Sequence, residues 1–535
     1  MVGKESKMKN KFIRKWLVIL TVAAMMIPAG IPANAETVEE GENIAPTAGI
    51  SAETPNVTAE TQKEEISAEM PDMTAETQNE EKSDVQAEGQ NQAKQGVLEA
   101  VRQNTEKAEE ASDAVDVQAE ERTAGEVQIG EQIYPTLTEA FAAAKDGDVL
   151  RLLENAEVSQ PILLTKNVTL DTNGFTVSAA AGFKGNFMFT NRGTFNIVGS
   201  GKIDGSVGTY PLIMINNTGG AVLNIQSSEI TGQGVVQNVG GIVNITGGTL
   251  TASARNTVLS QFGEVHIGAS AHLMAAGEGK SAVQLIGAKM TLSGDAVLSG
   301  NGGIDVFNSN RNEEGTVSAQ VEITGGRIET KDFPVSGNNQ ESAGAEVAIT
   351  GGSLKNISGG TAIYWPMEGQ LTIGGNAVIE GGTGIEAKMG TITIKDNAVI
   401  TGSGEWKEEK PQNGGANPEG SAFLGSAQMY DGCINDSSLV VNILGGTLKS
   451  VNGNAVTIYN TEEKSDVRAD ISVTGGSLQP AAGKGAVKVI TSGDNTTRFD
   501  PDKKTLDTMK SNTTVKVAKG CSCCGNGQRR KDNIL

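Results

Sequence analysis

A six-residue phrase, ITGGTL at 245–250, keeps returning through the second half of this chain and limits what the chain can fold into. It recurs as ITGGRI at 323–328, ITGGSL at 349–354, ILGGTL at 443–448 and VTGGSL at 473–478, each after a short alternating apolar run such as Ile242-Val243-Asn244. A second version sets Asp, Asn or Ser before Ala, as in LSGDAVL at 292–298, IGGNAVI at 373–379 and IGASAHL at 267–273. Counted from the first aliphatic residue, the units begin at Ile225, Ile245, Ile267, Leu292, Ile323, Ile349, Ile373, Ile394, Ile443 and Val473. Most steps span 20 to 31 residues, too short for a folded domain and right for one turn of a solenoid. The single step of 49, from Ile394 to Ile443, holds a long insertion and an extra strand at 421–427.

Each unit reads as strand, Gly-rich turn, strand, loop, strand. In NGNAVTIYN at 452–460, Val456 and Ile458 alternate with Thr457 and Tyr459, the period-2 mark of one buried face. Equivalent third strands lie at 282–286, 303–307, 361–365, 384–389 and 485–489. Such strands stack on their counterparts in the next turn, about 4.8 Å away, with backbone hydrogen bonds along the axis. Gly, 68 of 535 residues, serves the corners. The pattern predicts an all-β parallel solenoid of about ten or eleven turns, a rod on the order of 50 Å long.

Composition supports this. Only 37% of residues are apolar and 4% aromatic, enough to line a narrow coil and meagre for a compact globule. The net charge of −21 argues against nucleic acid as a partner. An acidic surface favours solubility and leaves room for cation binding, with Ca2+ as the ion to consider; no other cofactor is expected. The four cysteines, Cys433, Cys521, Cys523 and Cys524, lie outside the repeats, so disulfides do not define the fold. The CSCC run at 521–524 reads as a thiol site, a metal cluster, an inter-chain disulfide or an unpatterned tail. It lacks a paired C-x-x-C and a nearby His, which disfavours zinc.

Six Lys or Arg precede an apolar run from Trp16 to about Ala29, and Ala33-Asn34-Ala35 offers a cleavage site. Residues 1–35 therefore read as a secretory signal peptide, too short for a membrane span, with a basic start of Gram-positive bacterial type. The mature protein is expected outside the cell, secreted or surface-associated, with no integral membrane segment. Residues 36–125 form an acidic, low-complexity linker in which the sixteen residues at 50–65 are repeated at 66–81. So little apolar surface cannot offset chain entropy, and disorder is expected there.

The folded part runs from 126 to 495. VQIGEQIY at 127–134 alternates like a strand, and TLTEAFAAAK at 136–145 reads as a short helix with Thr136 at its cap and Glu139 three residues later. The order IYPTLTEAFAAAKDGDVLRLL, then ILLTKNVTLDTNGFTV, resembles the N-terminal cap and first coils of the pectin-lyase-like right-handed parallel β-helix. The form it is most similar to is the pectate-lyase-like adhesive domain of Gram-positive surface proteins. The resemblance implies a right-handed coil closed by the short helix, since an open solenoid end exposes strand edges and core. It also implies adhesion or glycan binding. After 495 a weak strand at 513–517 and a basic end complete a 496–535 remnant. No LPxTG-type sorting signal stands there, which leaves release, non-covalent retention or a fragment of a longer protein.

Catalysis in this family requires residues that the chain does not show. It has no Asn-Thr-Asp, Asp-Asp, Gly-His-Gly or Arg-Ile-Lys motif of polygalacturonase type. Its only histidines are His266 and His272, and alternation turns His266 outward. The arginines of the coils lie beside no acidic cluster, as a Ca2+-dependent lyase would need. No catalytic residue is therefore named.

Candidate ligand contacts lie elsewhere. The outward positions of the third strand, Gln284, Asp305, Phe307, Tyr364, Glu386, Lys388, Thr457 and Tyr459, would form a polar and aromatic stripe suited to polysaccharide. Trp365 aligns with inward Ile458 and belongs to the core. The insertion EWKEEKPQNGGANP at 405–418 carries Trp406, and Tyr430 and Cys433 follow in a second irregular stretch. A long loop on a rigid scaffold is where binding is placed. Asp305, Phe307, Tyr364, Glu386, Trp406, Tyr430 and Tyr459 are the ligand-binding candidates. Three readings remain open: an adhesive, non-catalytic module for glycans, a lyase or hydrolase acting on pectin-like glycans, and a passive spacer.

Overall fold

Alternation of inward aliphatic and outward polar residues, coil after coil, builds three long sheets. The computed structural model describes residues 125–206, 209–307, 317–337, 344–407, 416, 418–427, 438–460, 468–491, 513–518 and 522–523. The sheets hold 16, 14 and 13 strands, and each coil contributes one strand to each in turn. Beyond an antiparallel N-terminal hairpin the pairs are parallel, so the architecture is a parallel β-helix. The signal segment, the acidic linker to 124, Tyr430, Cys433, Cys521 and Cys524 lie outside the described residues.

The aliphatic residues that open the sequence units stack into one column. Ile225, Ile245, Ile267, Leu292, Ile323, Ile349, Ile373, Ile394, Ile443 and Val473 each register with the next along the first sheet. All are buried, and the column continues back through Ile197 and Leu170 to Leu150 and forward to Val517. The second glycine of the phrase explains its repetition. Gly248, Gly326, Gly352, Gly446 and Gly476 all sit at φ 78–85°, a left-handed corner between the first and second sheets that a side chain strains.

The thirteen strands of the third sheet set thirteen full coils, more than the ten or eleven expected. The early coils between Val149 and Asp204 lack the Gly pair and escaped the count. At about 4.8 Å per coil the stack is roughly 60 Å long. The 49-residue step does hold a strand, Phe423–Ala427, paired between Thr383–Ala387 and Val456–Asn460. Two more strands, Thr513–Val517 and Ser522–Cys523, extend the first and second sheets past 495.

The first coil is closed by a hairpin, Val127–Ile129 with Gln132–Tyr134, and by helix α1, Leu137–Ala143. Thr136 caps α1 by accepting a hydrogen bond from the Glu139 amide at 3.2 Å, the arrangement its sequence predicts. Leu137, Ala140 and Phe141 face the coil, and the Phe141 ring meets Phe189 and Phe195 edge-on at 5.9 and 6.0 Å. Further along, Trp365 points inward and is fully buried, as expected. Its counterparts in the next two coils are Ala387 and Gly425, which leave room for the indole.

One inward row of the third sheet is polar. Asn191 donates to Asn217 at 2.8 Å, Asn217 to Asn238 at 2.9 Å, and Asn238 to Ser260 at 3.0 Å. Their remaining donors reach backbone carbonyls, among them Val222 and Ile242 for the first two and Gly241 for the third. All four residues are buried. Buried amides are tolerated because each is satisfied by its neighbour.

Candidate functional site

The outward face of the third sheet, over Thr361–Trp365, Thr383–Ala387, Phe423–Ala427 and Val456–Asn460, gathers most of the chain's unusual polar chemistry. Register stacks Tyr364, Glu386, Leu424 and Thr457 in one column. Alternation alone would expose them to water. Instead Glu386, Lys388 and Thr457 are 0% exposed, Tyr459 2% and Tyr364 8%. The open stripe expected at these positions is therefore closed.

The insertion that follows Val399–Gly402 supplies part of this cover, through contacts that sequence periodicity does not encode. Its two feet, 404–407 and 418–421, lie together. The Lys407 amide donates to the Glu419 carbonyl at 3.4 Å, and the Glu419 amide donates to Thr383 Oγ1 at 2.8 Å. Ser450 Oγ donates to the Gly420 carbonyl at 2.6 Å, and Asn452 Nδ2 reaches the Gly404 carbonyl at 3.0 Å. Ser421 and Thr457 share a hydrogen bond of 2.6 Å, and Asn454 Nδ2 donates to Thr457 Oγ1 at 3.0 Å. The coils before and after the insertion are stitched to it in this way.

Inside the closed patch Thr361 Oγ1 donates to Glu386 Oε2 at 3.3 Å. Lys388 Nζ lies 5.2 Å from the Tyr364 ring centroid, and that ring stacks on Phe333 at 5.1 Å. Burial pushes the Lys388 ammonium down to about 8, against the Glu386 carboxylate, which favours its charge. Glu419 is 2% exposed, with the Ser421 hydroxyl and amide and the Thr457 hydroxyl beside its carboxyl, none of them in good hydrogen-bond geometry to either oxygen. The nearest hydroxyls, Ser421 and Thr457, are bonded to each other. Burial pushes the Glu419 carboxyl up to about 8; these hydroxyls only partly offset it, and Glu386 adds to it. The set holds a carboxyl and an ammonium whose charges change in the same pH range, with the Glu386 carboxyl beside them.

The other candidates divide. Trp406 stands on the insertion's first foot, half-buried, with Lys484 Nζ 4.5 Å and Lys488 Nζ 5.7 Å from its ring centroid. It packs on Gly453 so closely that a Cβ there would come 2.7 Å from the indole. Asp305 and Phe307 sit two coils before Tyr364, both half-buried. The Asp305 carboxylate accepts from Ser281 at 2.6 Å and Ser336 at 2.7 Å, and burial pushes its carboxyl up. They do not join Glu386 and Tyr364 in one patch. His266 faces outward and bonds Thr291 at 2.9 Å.

Sequence reasoning passed over Glu419, Thr361, Thr383, Ser421 and Asn454. The available signal was Glu419-Gly420-Ser421, an acid closing the insertion directly before an uncharged strand. Among the described residues no three His, Cys, Asp or Glu side chains gather as metal ligands would, and no helix is long and apolar enough to cross a membrane. No family model matches the chain, and neither curated proteins nor solved structures yield a match.

Proposed function

We propose that the protein is an extracellular, non-catalytic adhesive β-helix that holds glycans at the corner built around Trp406. The observation that carries this reading is the half-buried indole braced by Gly453, with two lysine ammonium groups beside it. An aromatic face suits the apolar side of a sugar ring, and the ammonium groups favour sugars that bear a carboxylate or sulfate. The corner is locally cationic on a chain whose net charge is −21. Export rests on the leader-like segment 1–35.

A second reading, an enzyme on pectin-like glycans, draws on Glu386, Lys388 and Glu419. A carboxyl that keeps its proton near neutral pH beside a second carboxylate is the kind of pair that general acid and base work uses. Against it, all three side chains are shut from solvent at 0 to 2% exposure, so no sugar reaches them.

One assay separates the readings. Protein is incubated with immobilised plant, mucin and bacterial-wall polysaccharides, and retained protein and released sugar are scored in the same wells. Adhesion predicts retention without release, lost on Trp406→Ala. Release of oligosaccharide establishes the enzyme, and absence of both moves the spacer reading forward.

A further inference from the structure

We propose that Glu419 is a proton-operated latch: protonated, it lets the insertion foot beneath Trp406 stay seated on the third sheet through its backbone bonds, and ionised, it loosens that foot. This rests on the reading of Trp406 as the contact residue, and it assigns that site a control.

The geometry makes Glu419 the pivot. Its amide and carbonyl tie together the sheet, through Thr383, and the first foot, through Lys407. Its side chain is buried beside Ser421 and Thr457, with neither carboxyl oxygen in good hydrogen-bond geometry. A neutral carboxyl tolerates that position at modest cost, whereas a carboxylate there is expensive. The next residue, Gly420, touches the bed of Trp406: a Cβ on Gly453 would meet both the indole and the Gly420 carbonyl. A shift at 419–420 is therefore felt by the indole within one residue's reach.

The charged groups around Glu419 amplify the change. The strand Thr383–Ala387 brings Glu386, and Lys388 follows it; Thr361–Trp365 brings Tyr364, and Val456–Asn460 brings Tyr459. Glu386 raises the Glu419 carboxyl and favours the Lys388 ammonium. Glu419 and Lys388 both lose their protons near about 8, so raising the pH through that value adds negative charge to a patch sealed from water. The two protons leave as coupled steps of one cluster. Their loss places Glu386 and Glu419 as like charges with the ammonium no longer between them in the balance.

The test labels the chain with 5-fluorotryptophan and follows the Trp406 resonance, identified with Trp406→Phe, from pH 6.5 to 9.5. The chain has three tryptophans, and Trp365 is a buried reference. In the wild type the Trp406 resonance should move with a midpoint near 8, in Glu419→Gln it should stay still, and in Lys388→Met the movement should persist. A flat wild-type resonance, or one that moves alike in Glu419→Gln, overturns the latch. Should Glu419→Gln fail to fold, Glu386→Gln decides: removing the neighbouring charge must lower the midpoint, and an unchanged midpoint overturns the proposal. Glycan retention is scored at both pH limits. Retention with a still resonance sinks the latch alone; a moving resonance without any retention sinks the adhesion reading alone.

Discussion

The third sheet buries polar side chains in two ways. In its early coils Asn191, Asn217 and Asn238 pass hydrogen bonds along the axis to Ser260, and none of them titrates. In its later coils Glu386, Lys388 and Glu419 lie under an insertion, and two of them hold strongly displaced protonation equilibria. The same strand register supports both. The difference teaches that the coil itself asks only for satisfied neighbours, whereas the charged patch has a cost that depends on solution conditions.

The strongest way to break this comparison is Asn217→Leu. It strands the Asn191 donor and removes bonds to the Ala221 and Ile242 carbonyls. A loss of about 3 kcal/mol is expected in urea denaturation. It should be the same at pH 5 and pH 9; a loss that varied with pH would erase the distinction between the two regions.

The next effect is the pH profile of the charged patch. The folded Glu419 carboxyl, at about 8, binds its proton more tightly than an ordinary glutamate at 4.5, so its stabilisation is complete below 4.5 and is lost as pH rises through about 8. The folded Lys388 ammonium is depressed from 10.5 to about 8, so its stabilisation is present above 10.5 and is lost as pH falls through about 8. The two contributions together place a trough in stability near pH 8. Glu419→Gln should remove the acid side of the trough, flattening the fall in stability between pH 5 and pH 8. Lys388→Met should remove the alkaline side, and thermal melts across pH 4 to 11 read both. A profile that neither substitution alters would show that the patch is as inert as the asparagine row.

The smallest effect has the opposite sign and lies in the neutral region. Phe262 holds φ 58° in a corner where the adjacent coils place Gly240 and Gly287 at 70° and 56°. Phe262→Gly should raise stability by roughly 0.5 kcal/mol, measured as a small rise in melting temperature. A fall would mean that the half-exposed ring is better packed than its corner is strained.

The fold was largely legible because its rules are local and periodic. One aliphatic residue per unit sufficed to mark a column that the structure keeps in register from Ile225 to Val473, and period 2 placed Trp365 inside. The early coils were miscounted because other residues replace the Gly pair there. The asparagine row had a signal that went unread, an Asn two residues before Gly at Asn191, Asn217 and Asn238. The candidate site was legible only in part. Tyr364, Glu386 and Tyr459 were correctly assigned to the outward side, but their burial depends on a segment folding back across coils. Glu419 was invisible for the same reason: much of its environment is made by residues distant in sequence, among them Thr383, 36 positions away, Glu386 and Thr457.

The hairpin at Val127–Tyr134 and the strand Thr513–Val517 occupy opposite ends of the first sheet. A pull on the two ends of the stack therefore acts along the hydrogen bonds and strains one coil boundary at a time. A typical coil that peels away surrenders about 4.8 Å of rod and yields 20 to 31 residues of slack, roughly 70 to 100 Å when extended. Under tension such a rod behaves as a spool: it lengthens in discrete steps, each absorbing work, while the coils still wound keep their faces and whatever those faces hold.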